Sequence, residues 1–491
     1  MFENLFELLK YNPKDPILFN SVFFLYFLGV FVLCYQLVYK NKLHRVLLFT
    51  LFSLFFFYKA CGFYVFLVVI SAIVDFTISN KIYLERNAAK KKLLLIFSIC
   101  INLGLLFYFK YTDFFIDIIN NINDGEIEPL NLILPIGISF YTFENLSYTI
   151  DVYRGQFKPV KSFWDYLFFL SFFPKLVMGP IVRASNFIPQ ISKEYKITAS
   201  DFAKGFFLIV GGLFKKVVIS DFIYVNFVQY IFDDPGRHTG LECLLAVYGY
   251  AMVIYCDFSG YSDMAIGLAK WMGFEININF LSPYQSASIT EFWRRWHISL
   301  SSWLRDYLYI PLGGNRMGKA HQYANLMITM LIGGLWHGAN WTFIVWGGLH
   351  GLALAFHKFK KDHIGNLWNL PNTRWVHSKW FNTLLTFHFV CFGWIFFKAN
   401  TFDDAFKMIE QISTNFDLGS MGLIYQNYKY VLWMMALGYA LHFVPDTVES
   451  KVNPYLARLS PVYYALLLSA FIWLLIQVKT TEIMMPIYLQ F

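Results

Sequence analysis

His337 stands in the run LIGGLWHGANW. An ionisable side chain inside an apolar stretch is expensive to place, which marks it as a candidate functional group. Histidine suits general-base or nucleophilic work because its pKa lies near neutrality. Gly333, Gly334 and Gly338 leave room for a second backbone or a substrate, and Trp336 and Trp341 are bulky enough to wall a narrow passage. The plain alternative is a packed histidine bonded to a backbone carbonyl. His297 lies upstream in EFWRRWHISLSSW, with Arg294 and Arg295 before it and Arg305 and Arg316 after it. Basic groups beside a histidine fit an anionic donor, such as a phosphate-bearing thioester carrier. Arginines snorkelling towards lipid phosphates explain the same pattern.

Asp257, Tyr261 and Asp263 belong to YCDFSGYSDMAIGLAK. At a spacing of four, Asp257 and Tyr261 share a helix face. Carboxylates inside a span must be paired or wet. They either do acid–base chemistry or tie helices together and orient a histidine, and the second reading is preferred. Glu144, in LPIGISFYTFENLSYTIDVYRG, and Lys175, in FFPKLVMGP, are further charges in apolar surroundings. His350 falls about 220° further round a continuous helix than His337, so the two do not share a face of one. No P-loop, Rossmann glycine pattern, G-x-S-x-G elbow or H-E-x-x-H occurs, and no metal-ligand spacing is present. No metal and no permanently bound cofactor are expected.

Composition says what must hold these groups. Of 491 residues 57% are apolar and 15% charged, with 55 Phe, 32 Tyr and 14 Trp, against about 45–50% and about 25% in soluble domains. That much apolar surface must face lipid or line a bundle that does. Disorder, a fibrous protein and a soluble enzyme are excluded. The net charge of +8 fits cytoplasmic loops of a membrane protein, and nucleic-acid binding is set aside. Six cysteines in apolar stretches read as packing residues.

Spans are predicted near Ile17–Tyr39, Arg45–Phe57, Phe63–Asn80, Leu93–Lys110, Phe206–Ile231, Leu244–Lys270, Leu326–His357, Trp380–Lys398, Tyr430–Phe443 and Val462–Val478. Leu326–His357 is too long for one span and should break at its glycines. Leu132–Ile150 and Tyr166–Val182 contain Pro and Gly and read as short, kinked or re-entrant pieces. Roughly ten to twelve crossings result. Residues 1–16 read as an interfacial amphipathic helix, and not as a cleavable signal. Basic loops after the first and third spans, and the acidic stretch Thr112–Asn131, put the N-terminus outside and the basic loops inside. Residues 279–322 carry an aromatic stripe with arginines between, which predicts amphipathic or re-entrant helices on the cytoplasmic side. The expectation is an all-α, multi-pass integral membrane protein with one domain over 1–491.

The blocks IYCDFSGYSDMAIGLAKWMGF, SITEFWRRWHISLSSWLRDYLYIPLGGNR and GGLWHGANWTFIVWGGLHG resemble the membrane-bound O-acyltransferases. The bacterial alginate O-acetyltransferase-like branch is the most similar. LPIGISFYTFENLSYTIDVYRG, SFFPKLVMGPIVR, GLFKKVVISD and FGWIFFKANTFDDAF extend the resemblance over nearly the whole chain. The resemblance implies helices around a central tunnel, with His337 as the central histidine and His297 as the second. An acyl thioester such as acetyl-CoA would enter from the cytoplasm. His337 would deprotonate an acceptor hydroxyl or carry the acyl group briefly. Arg294, Arg295, Arg305, Trp336, Trp341, Asp257, Tyr261, Asp263, Glu144, Lys175 and His350 become candidates for donor binding or tunnel lining. Glu144 and Lys175 stand where many relatives carry uncharged polar residues, and would pair or tune the acceptor end. The expected setting is a bacterial inner membrane, with a polysaccharide acceptor and an extracytoplasmic acetyltransferase as partner. The acidic stretches Thr112–Leu130 and Ala399–Tyr428 are candidate docking surfaces for it. D-alanyl transfer from a carrier protein to teichoic acid, and transport of a small anion or lipid-linked sugar, remain the alternatives.

Overall fold

Backbone at bilayer depth has no water to bond, so apolar runs of span length fold as helices. A computed structural model describes residues 9–13, 16–123, 125–194, 196–364, 378–478 and 484–487. Among the described residues every regular element is helical and there is no strand. The helix expected over 1–16 falls largely outside the described residues. Lys42–Leu84, Ala88–Lys110, Gly240–Trp271, Lys379–Lys398 and Pro461–Val478 are long and apolar enough to cross a membrane. The first of these is two 20-residue helices that turn at Gly62, whose φ of +64° suits glycine.

The chain divides into two units, Met1–Phe206 with Met264–Asn277, and Phe207–Asp263 with Ile278–Phe491. The first holds α1 (Val22–Val38), α2 (Lys42–Cys61), α3 (Val65–Leu84), α4 (Ala88–Lys110), α5 (Ile138–Tyr153) and α6 (Phe163–Ser171). A polar seam joins α3, α4 and α5. Buried Asp75 accepts from Ser98, from Asn102 Nδ2 at 2.7 Å and from Thr149 Oγ1 at 3.0 Å. Tyr166 of α6 extends the seam by donating to Asn145 Oδ1 at 2.6 Å. Every polar group named here has a partner, as burial away from water requires. Around it lies a phenylalanine core in which Phe187 and Phe274 stack 4.9 Å apart.

The second unit includes most of α7 (Gly240–Trp271), then α8 (Ile289–Arg295), α9 (Ile298–Leu304), α10 (Lys319–His337), α11 (Trp341–Phe359), α12 (Lys379–Lys398), α13 (Met421–His442) and α14 (Pro461–Val478). The 279–322 segment forms two short helices, α8 and α9, followed by a widened turn over Arg305–Tyr309. The overlong apolar run breaks at Gly338, where α10 ends. Asn340 starts α11 by accepting the Thr342 N–H at 3.0 Å.

Candidate active site

α10 and α11 run antiparallel with their backbones almost touching. A Cβ on Gly334 would lie 2.2 Å from the Phe343 carbonyl oxygen, and one on Gly347 2.3 Å from that of Met330. Only glycine fits at either point. This fixes the end of α10, and with it His337, against the start of α11. His337 is 3% exposed. Trp336 lies 5.0 Å from its ring, Trp346 5.1 Å at 89°, and Phe397 of α12 5.3 Å. The His297 ring is 6.5 Å away, and Trp336 stands 6.0 Å from it.

His297 occupies the joint between α8 and α9 with a φ of +42°, a conformation uncommon outside glycine. A backbone held there points to a site that needs it. Asn279 supplies the anchor. Its side-chain oxygen accepts from the Ser299 N–H at 3.1 Å and the Ser299 hydroxyl at 2.8 Å, and contacts His297 Nδ1 at 3.1 Å. A backbone N–H only donates, so the Asn279 atom is the oxygen. His297 Nδ1 therefore carries the proton, and the lone pair sits on Nε2. Burial pulls the His297 pKa down to about 3, so the ring is neutral at physiological pH.

His350 lies one turn beyond Trp346 on α11, with ring centres 4.8 Å apart, so Trp346 touches both His337 and His350. Phe389 packs 5.5 Å from His350, and the bare face of Gly393 admits its Nε2. Neither His350 nitrogen has a protein partner among the described residues. Trp341 is 51% exposed, and Trp346 is the tryptophan of α11 that walls His337.

The carboxylates go elsewhere. Asp257 and Asp221 share the Lys216 ammonium at 2.6 and 2.7 Å, and the Ile487 N–H donates to Asp257 at 2.9 Å. Lys216 and Asp221 would sit about 140° apart on an α-helix. The widened π-helical turns over Phe214–Asp221 swing them together. Asp263 pairs with Lys215 at 2.6 Å, and Tyr261 is buried. Both aspartates thus tie helices. Arg294 is exposed, Arg295 bonds Glu291 at 2.9 Å, and Arg305 bonds Asp306 at 2.8 Å. In the first unit Glu144 and Lys175 pair, and Glu144 also accepts the Val182 N–H at 3.0 Å. Among the described residues no group of three or more His, Cys, Asp or Glu could hold a metal ion.

Sequence reasoning missed Asn279, Ser299, Trp346, Phe397 and Lys216. Trp346 carried a signal, because it lies four residues before His350 in WTFIVWGGLHG. Asn279 carried none, because a single asparagine after an apolar span reads as a loop residue.

The family model described as MBOAT, membrane-bound O-acyltransferase family, matches residues 158–402. A peptidoglycan O-acetyltransferase of Helicobacter pylori is 38% identical over 429 residues, covering 80% of this chain and 79% of that one. A probable alginate O-acetylase of Pseudomonas aeruginosa is 43% identical over 320 residues, 64% of this chain and 59% of that one. The chain thus spans about three fifths of the length of that relative. A teichoic acid D-alanyltransferase of Bacillus subtilis is 31% identical over 290 residues, 56% of this chain and 71% of that one.

Proposed function

The chain belongs to the membrane-bound O-acyltransferase family, and on that premise we propose that it passes an acetyl group from a cytoplasmic thioester, acetyl-CoA, towards hydroxyls of an extracytoplasmic polysaccharide. Family membership in an acyltransferase group disfavours the transporter reading. The acetyl reading rests on relatives named for O-acetyl transfer, which are 38–46% identical, against 28–31% for the D-alanyltransferases. The observation that carries it is the pair His297 and His337, 6.5 Å apart inside an aromatic shell.

In this reading the acceptor oxygen adds to the thioester carbonyl while His337 takes the hydroxyl proton. The C–O bond forms, the C–S bond breaks, and the proton passes from His337 to the leaving thiolate. His297, with Nδ1 committed to Asn279, offers Nε2 as an acceptor that orients the hydroxyl. The aromatic walls exclude water and so limit loss of the thioester to hydrolysis. The final acceptor is reached through an extracytoplasmic acetyltransferase, in the setting of a bacterial inner membrane.

Purified protein in nanodiscs with radiolabelled acetyl-CoA tests this against His337→Ala and His297→Ala. Thioester loss should fall by about 10²-fold or more in His337→Ala. Turnover that persists in that variant overturns the role of His337. Label held on wild-type protein without acceptor, and released by hydroxylamine, would replace the base with an acyl-histidine. A wild type that ignores acetyl-CoA and consumes a D-alanyl carrier protein would move the chain to the other branch.

A further inference from the structure

The second unit carries an open groove of about 540 Å³ between the first half of α12 and the last turns of α13. Its walls include Tyr248, Tyr284, Thr383, Phe387 and Tyr439. Four of these five bear hydroxyls, yet each hydroxyl already has a partner within the protein. The Tyr284 hydroxyl donates to the Ala251 carbonyl at 2.6 Å, and that of Tyr439 to the Tyr248 carbonyl at 2.8 Å. The Tyr248 hydroxyl bonds His388 Nε2 at 2.9 Å, and that of Thr383 reaches the Gln285 carbonyl at 3.4 Å. The groove therefore presents carbon to its occupant, from these residues as from Trp380, Leu384, Met435 and Phe443 beside them.

We propose that this groove binds one acyl chain of a membrane phospholipid, seated against α12 and α13 with its headgroup at Lys379. The chemistry of the walls requires a hydrocarbon, since an occupant with buried polar atoms would find no partner there. α12 is long and apolar enough to span, so the groove opens on the bilayer side of a membrane helix and lipid tails are what it meets. At the start of α12, Lys379 is exposed and Trp380 is 78% exposed. A lysine and a tryptophan at a helix end are the residues that settle at headgroup level, and the ammonium complements a lipid phosphate. The volume falls within the range of built ligand sites, roughly 300–1,000 Å³.

Occupancy would reach beyond the surface. The Tyr284 ring forms one groove wall, and its hydroxyl accepts from Trp394 Nε1 at 3.2 Å. Trp394 stacks 5.8 Å from Trp346, the residue against His337. The chain thus braces the aromatic shell from behind, whatever group that shell transfers.

The protein in nanodiscs made with a phosphatidylglycerol bearing a photoreactive acyl chain tests the site. After irradiation, crosslinks are mapped by mass spectrometry on wild type and on Leu384→Trp, which fills the groove. α14 is the internal control, because only 6% of its apolar window is buried and any surrounding lipid touches it. Crosslinks to 380–387 and 435–443 should exceed those to 461–478 by about fivefold or more, and Leu384→Trp should abolish the excess while crosslinking of 461–478 stays unchanged. Equal labelling of the groove and 461–478, or an excess that survives Leu384→Trp, overturns the proposal. Native mass spectrometry of protein extracted from membranes that retains an isoprenoid in place of a phospholipid also overturns it. Should Leu384→Trp misfold, Thr383→Leu keeps the test open, since it fills part of the groove with a smaller side chain. The readout needs no acetyl-CoA turnover, so the proposal stands or falls apart from the acyl-transfer reading.

Discussion

Three donors meet at one oxygen of Asn279, and only one of them belongs to a candidate catalytic residue. The Ser299 contacts hold the amide in place, and the amide in turn fixes the His297 tautomer. Asn279→Ala should lower kcat by about 10–100-fold with a smaller change in donor KM, the pattern of a lost orienting partner. Asn279→Asp keeps the acceptor but adds charge, which raises the His297 pKa, so a new acidic limb should appear in the pH–rate profile. A flat profile would separate Asn279 from His297 titration. Stability carries its own signature. The folded pKa of about 3 lies below the unfolded value of about 6.5, so the unfolded chain takes up the proton first. The contribution of neutral His297 is complete above about pH 6.5 and is lost as pH falls towards 3. The melting temperature should therefore drop between pH 7 and 5, and drop less in His297→Gln. Equal slopes in the two proteins would sink this assignment.

At the level of elements, the site depends on how closely α10 and α11 approach. Gly347→Ala would push a methyl group into the Met330 carbonyl, whereas a Cβ on neighbouring Gly348 meets only Leu331 Cδ2 at 3.6 Å. Gly347→Ala should destabilise by about 1–3 kcal/mol through overpacking. Gly348→Ala should be neutral or slightly stabilising, because alanine is the better helix former. Thermal unfolding in detergent compares them, and equal melting temperatures would mean the helices can part without penalty. The same helices indicate what is legible in sequence. Length and glycine content are local properties and mark the overlong run for a break at one of three glycines, but Gly333 and Gly334 lie inside α10 and only the structure places the break at Gly338. The pairing of Lys216 with Asp257 is not local. It joins two helices far apart in sequence, and the third member, Asp221, reaches Lys216 only through π-helical turns of which hydrophobic period carries no trace. Trp341 and Trp346 look alike in sequence, and only the Asn340 cap, which sets where α11 begins, decides which one faces His337.

At the scale of the whole molecule, the direction of transfer rests on which face is which. Lys81, Arg86, Lys90, Lys91 and Lys92 gather at one end of α4, and Asp113, Asp117, Glu126 and Glu128 follow the other end. α4 has 23 residues, or roughly 34 Å at 1.5 Å each, enough for a hydrocarbon core of about 30 Å. The basic and acidic ends therefore lie on opposite faces. On the expectation that positive loops stay in the cytoplasm, the acidic end should lie outside. In a variant with all six cysteines replaced by alanine, Glu126→Cys should react with a membrane-impermeant maleimide added to cells, and Lys91→Cys should react only after lysis. Glu126 is exposed and Lys91 is partly exposed, so failure to label is not a matter of full burial. Asp403→Cys extends the test across the chain. It sits at the start of the Phe402–Thr414 helix, in a stretch also read as external. If it labels with Glu126→Cys, the number of crossings between residues 126 and 403 is even. If it labels only after lysis, that number is odd and the reading of Ala399–Tyr428 as external fails. Inverted labelling of both Glu126→Cys and Lys91→Cys would reverse the whole chain in the membrane. A cytoplasmic thioester would then have to arrive from the acidic face, and the proposed route of acetyl transfer would fail with it.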